Sequence, residues 1–121
     1  MKMKSTLMAA VMVALIIAGC ATTRESRMSI SSEVRKQSHC DGTLFSDLLV
    51  KRGGVGHANW LLFPKSRQSV LTKIEIATPY EKKKPWTERW FVQHDGNDTC
   101  VFVVTLIPDN KGETDWRVRK E

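Results

Sequence analysis

The sequence lacks most of the patterns that carry a recognisable chemistry. No G-x-S-x-G elbow presents a serine nucleophile. No two histidines stand at i and i+4 to hold a metal, and the chain has only three, His39, His57 and His94. Gly54-Val55-Gly56 resembles the start of a nucleotide loop. However, the third glycine of G-x-G-x-x-G falls on Asn59, and no lysine-serine or lysine-threonine follows, so the stretch reads as a glycine turn. No segment repeats at a solenoid period. Beyond residue 18 no apolar run approaches the roughly 20 residues of a membrane-spanning helix. Serines, histidines and acids occur, but nothing spaces them as a triad, and a single small sheet rarely encloses a pocket of hundreds of Å³. Neither an enzyme, a metal site nor a cofactor is expected, and a small hydrolase is the remotest reading.

Strong charge of one sign is also missing. Nineteen basic and 13 acidic residues give +6, and Lys2 and Lys4 account for part of it, leaving +4 for the rest. That excess favours anionic partners such as lipid headgroups. It falls short of the dense basic face of a nucleic-acid binder, so no nucleic acid is expected as a partner.

What is present begins at the amino terminus. Lys2 and Lys4 precede an apolar run from Leu7 to Ala18, which stops at Gly19-Cys20. A basic n-region, an h-region of about a dozen apolar residues and small residues at a processing point make a secretory signal. Ile17-Ala18-Gly19-Cys20 resembles the lipobox of bacterial lipoproteins. The resemblance implies diacylglyceryl attachment at the Cys20 sulfur, cleavage of the Gly19–Cys20 bond, acylation of the new amino terminus and no other cofactor. Ile17 departs mildly, since leucine is commoner there. Ala21, in place of a retention aspartate, implies sorting to the outer membrane, with the domain held at the periplasmic face. Two or three acyl chains anchor stably at about 0.8 kcal/mol per buried CH₂. The alternative is an ordinary signal peptide followed by a chance cysteine.

Lipidation also bears on the cysteine count. With Cys20 consumed, Cys40 and Cys100 remain as a pair in an oxidising compartment, and a disulfide between them is expected. Closing a loop of about 60 residues would contribute roughly 4 kcal/mol in the chain-entropy model. Two free buried thiols are the alternative. His39 adjoins Cys40 without metal-ligand spacing.

The organisation expected is a signal peptide over 1–19, a polar tether over 20–38 and one small domain over 39–121. Leu44, Phe45, Leu48 and Leu49 follow helical spacing, with Asp41 or Thr43 as cap, although a short strand over 44–50 stays open. From His57 the text reads as β, first over 57–63 and ending at Pro64. Residues 70–77 then alternate as a half-buried strand. Pro79 to Pro85 enclose the basic loop Glu81-Lys82-Lys83-Lys84. Residues 86–94 and 99–107 form a hairpin about Asp95-Gly96-Asn97-Asp98, and 114–119 is the last strand. The fold expected is α+β, mainly β: a small antiparallel meander of 4–5 strands with one short helix on a face.

Pro85-Trp86-x-Glu88-x-Trp90-x-Val92, with Pro108-Asp109-x-x-Gly112-x-Thr114, resembles a pattern in small proteobacterial lipoproteins of no assigned activity. Those relatives often carry a cysteine before the turn glycine, where this chain has Asp95. The four tryptophans offer either core or an aromatic binding face. Phase with Val92 and Val118 places Trp90 and Trp116 in the core. Trp60 and Trp86 are the expected exposed exceptions, and Trp86 with Lys82, Lys83 and Lys84 is the candidate binding surface. Together these readings describe a lipid-anchored binding or assembly accessory with an envelope protein as partner. An inhibitor of a secreted enzyme such as lysozyme is the alternative. The positive net charge argues against it, because most such targets are cationic.

Overall fold

The computed structural model describes residues 28–121. The signal peptide, Cys20 and residues 21–27 of the expected tether lie outside the described residues. In chain order the elements are β1 (Met28–Ile30), α1 (Ser32–Arg35), α2 (Gly42–Val50), α3 (Val55–Leu62), β2 (Ser69–Ile76), β3 (Trp86–His94), β4 (Asp98–Pro108) and β5 (Thr114–Lys120). The strands form one sheet in the order β1-β2-β3-β4-β5. β2 to β5 make the antiparallel meander, and β1 lies parallel on the edge of β2. The α+β, mainly β architecture is therefore present.

Period-two alternation decides which face is buried. In β3 every second side chain, from Trp86 through Glu88, Trp90 and Val92 to His94, is buried. Phe102, Val104 and Leu106 of β4 join the same core, as do Leu71 and Ile74 of β2. The helices cover this face. Asp41 caps α2 by accepting from the Leu44 amide at 2.8 Å. The helix then buries Leu44, Phe45 and Leu48. Phe45 stacks on Trp90 with centroids 4.9 Å apart, and the Arg35 guanidinium lies over the Phe45 ring at 4.2 Å.

Three expectations need correction. Residues 57–63 are not a strand, because 55–62 form α3. Their apolar run does not alternate, and Val55 and Asn59, one helical turn apart, are the pair that faces inward. Gly54 permits the turn from α2 to α3, since a Cβ there would collide with the Leu48 carbonyl. Nor is 28–38 tether. β1 pairs with Ser69, Val70 and Leu71, Val34 is buried, and Gln37 Oε1 accepts from the Ile74 amide at 2.8 Å. These bonds cover an edge of β2 that would otherwise stand open.

The third correction is the staple. Cys40 and Cys100 are both buried and both free. Cys40 follows His39, whose amide bonds Glu88, whereas Cys100 pairs across the sheet with Val92. Four residues of β3 separate those positions, about 13 Å at the rise of a strand. A disulfide needs Cα atoms within about 7 Å. Burial, with the Glu88 charge beside it, pushes the Cys40 thiol up to about 12. Burial likewise raises Cys100. Both behave as small apolar side chains.

The opposite face of the sheet is solvated and charged. Arg89 bridges Glu75 at 2.8 Å and Glu121 at 2.7 Å. Such exposed pairs contribute little individually. Among the described residues no helix is long and apolar enough to cross a membrane.

Candidate functional site

The inner face of β3 carries a carboxylate where core would be expected. Glu88 is fully buried, and each of its oxygens accepts two hydrogen bonds. Oε1 takes Ser38 Oγ at 2.8 Å and Trp90 Nε1 at 2.9 Å. Oε2 takes the His39 amide at 2.9 Å and Trp86 Nε1 at 2.8 Å. Strand alternation explains the indoles, since residues 86, 88 and 90 share a face and the acid lies between two ring N–H groups. Ser38 Oγ in turn accepts from the Cys40 amide at 3.0 Å. The network therefore fixes the approach to α2 as well as both tryptophans. All four donors are neutral groups, and each fills an acceptor position that burial takes from water.

This node backs the wall of an open groove. His39 and Trp86, both tied to Glu88, line a cavity of about 430 Å³ with Leu44, Tyr80, Lys83 and Pro108 among its other walls. Tyr80 stacks on His39 at 4.2 Å and turns its edge to Trp86 at 5.0 Å. Tyr80 is 40% exposed. The far wall is the turn between β4 and β5, where Asp109 Oδ1 accepts from the amides of Lys111 and Glu113 at 2.8 and 3.0 Å, and Gly112 takes the left-handed φ of +89° that the turn requires. A second cavity, of about 750 Å³, shares Asp41, Leu44 and Asp109 and continues the groove to Asp47 and Trp116.

Of the residues expected as a binding surface, Trp86 and Lys83 line this groove and Lys82 and Lys84 do not. Trp86 is not exposed: it is a buried wall whose ring N–H is committed to Glu88. Lys83 lines the groove at a φ of +66°, whereas Lys84 pairs with Glu81 at 3.2 Å and Lys82 is exposed outside it. Trp60 is half-buried on α3, and Trp116 is half-buried at the groove's end, not in the core centre. Tyr80, His39 and Glu88 were not among the candidates. The Trp-x-Glu-x-Trp spacing was the available signal, because an acid in phase with two core tryptophans must be buried with them.

A second polar site lies at the other end of β3. His94, 5% exposed, bonds Asn59 Oδ1 through Nε2 at 2.6 Å, and Asn59 Nδ2 donates to Ser69 Oγ at 2.9 Å. That arrangement assigns the ring proton to Nε2. Phe63 stacks on the imidazole at 3.9 Å. Nδ1 is buried without a well-formed hydrogen bond among the described residues. Burial holds the His94 pKa below the ordinary histidine value, opposed by the charges of Asp95 and Asp98 and by the Asp98 backbone.

No family model matches this chain. Searches of curated proteins and of solved structures also give no match.

Proposed function

We propose that the chain is a lipid-anchored protein of the bacterial outer membrane, held at the periplasmic face through Cys20. Its domain serves an envelope complex as a binding or assembly accessory, through the groove between α2, the lysine loop and the β4–β5 turn. The lipobox resemblance supports the anchor. The observation that carries the binding role is Glu88. A buried carboxylate is costly to desolvate, and two of its four donors come from groove-lining residues, the His39 amide and the Trp86 indole. Walls fixed in this way suit a preorganised site. A second reading, the inhibitor of a secreted cationic enzyme, is favoured by the local charge of the groove, which opposes the net charge of the chain.

Two experiments in cells test this. Cys20→Ser should leave the protein unprocessed and unlipidated, and normal maturation of that variant would overturn the anchor. A photo-crosslinking residue at Tyr80 should form a discrete adduct with an envelope protein, and the same residue at Thr72 on the opposite face should not. Equal adducts from both positions, or none from Tyr80, would overturn the groove as the binding site.

A further inference from the structure

The groove is charged opposite to the molecule around it. The lysine loop suggested an anionic ligand, yet only Lys83 of that loop lines the groove, joined by Lys51 at the other end. Against these two stand, among the described residues, the carboxylates of Asp41, Asp47, Asp109, Glu113 and Asp115. Lys51 is itself drawn to Asp47, at 3.5 Å. This negative strip runs through a chain of net charge +6. Leu44 and Pro108 lie among the acids, with Tyr80 at one end and Trp116 at the other. Aromatic rings attract cations through the negative face of the π system.

The geometry points to a lysine- or arginine-bearing segment of a partner protein as the occupant of this groove. One cationic head lies against the exposed Tyr80 ring, a second reaches Glu113 and Asp115, and the aliphatic stems cover Leu44 and Pro108. Long basic side chains suit such a surface, because their stems bury while their heads stay at the polar rim. The positive remainder of the chain repels a basic partner elsewhere, so charge also sets the register of docking. This inference rests on the groove being the binding site.

The test is a titration of the purified full-length protein with tetralysine and, separately, with tetraglutamate, read from amide chemical shifts. Tetralysine should bind saturably, with shifts confined to the groove. Affinity should fall at least tenfold in Tyr80→Ala and in the double variant Glu113→Gln/Asp115→Asn, and should fall again as salt is raised. All three positions are exposed, and thermal melts matching the parent would show that the variants fold. Absence of saturable tetralysine binding, or equal affinity in parent and variants, would overturn the inference. Groove shifts with tetraglutamate alone would overturn the cationic occupant while leaving the groove as a site. Failure of the Tyr80 crosslink in cells removes the site itself, so the two failures are distinguishable.

Discussion

Glu88 and His94 stand on the same face of the same strand, six residues apart, yet they are built in opposite ways. Glu88 has every acceptor position filled by four donors between 2.8 and 2.9 Å. His94 has one short bond and a buried nitrogen without a good partner among the described residues. The difference follows from the neighbours each position has. Residues 86 and 90 flank the acid with ring N–H groups, and the chain before α2 adds two more donors. His94 meets Phe63, which stacks but cannot hydrogen-bond, and Asn59, whose amide is shared with Ser69. A saturated network holds its surroundings in one arrangement, and a half-satisfied one leaves slack. The groove lies at the saturated end.

The largest expected effect is at the acid. Glu88→Gln keeps the volume but sets an NH₂ group against donors that have no other acceptor. An unsatisfied buried donor costs about 1–3 kcal/mol, so two should lower stability by about 2–6 kcal/mol in a denaturant titration. A midpoint equal to the parent's would show that the network holds nothing. The histidine should be more forgiving. His94→Phe loses one hydrogen bond but also removes the unpaired nitrogen, and should cost about 1–2 kcal/mol. A loss as large as that at Glu88 would erase the contrast.

Acid should discriminate between the sites more gently. His94 has a lower pKa folded than unfolded, so between its folded value and about 6.5 the unfolded chain binds more protons. Stability should therefore fall as pH drops below about 6.5, and this slope should vanish in His94→Phe. Thermal melts across that range check the sign, and an unchanged slope in the variant would assign it elsewhere. The smallest effect expected is that of reductant. With Cys40 and Cys100 free and buried, dithiothreitol should leave the melting temperature unmoved, and a thiol reagent should label both residues only as the protein unfolds. A reductant-dependent drop would restore the disulfide.

Much of the meander was legible because strand alternation records which face is buried. Residues 86–94 and 99–107, and the turn at Asp95-Gly96, appear where the pattern puts them. Gly96 and Asp95 adopt the positive φ of a tight hairpin, +78° and +51°. β1 is not legible because three residues carry too little period to stand out from a polar segment, whereas Ser31 as a cap and Val34 as an anchor mark the short helix α1. Trp60-Leu61-Leu62-Phe63 reads as a strand because it is an apolar run, and such a run alone does not separate helix from strand. Its two leucines are in fact exposed. The pairing of Cys40 with Cys100 rests on compartment and number, neither of which contains a distance. The acidic groove was illegible for a related reason. Its five carboxylates come from α2 with its cap, from the β4–β5 turn and from the start of β5, and only folding brings them to one groove.

The parallel pairing of β1 with β2 has a mechanical consequence. Met28 lies opposite Ser69, and Ser69 opposite His94, so the chain enters at the histidine end of the sheet. The groove lies at the Trp86 end, about 26 Å away at the rise of a strand. A pull between the segment before Met28 and a ligand in the groove is directed along the strands. It loads the β1–β2 hydrogen bonds in shear, all together and not one by one. β1 is only three residues long, so this short pairing, with the Gln37 contact behind it, is the fuse of the load path. Under such a load it would yield before the meander does, while the groove and its four-donor carboxylate keep their shape.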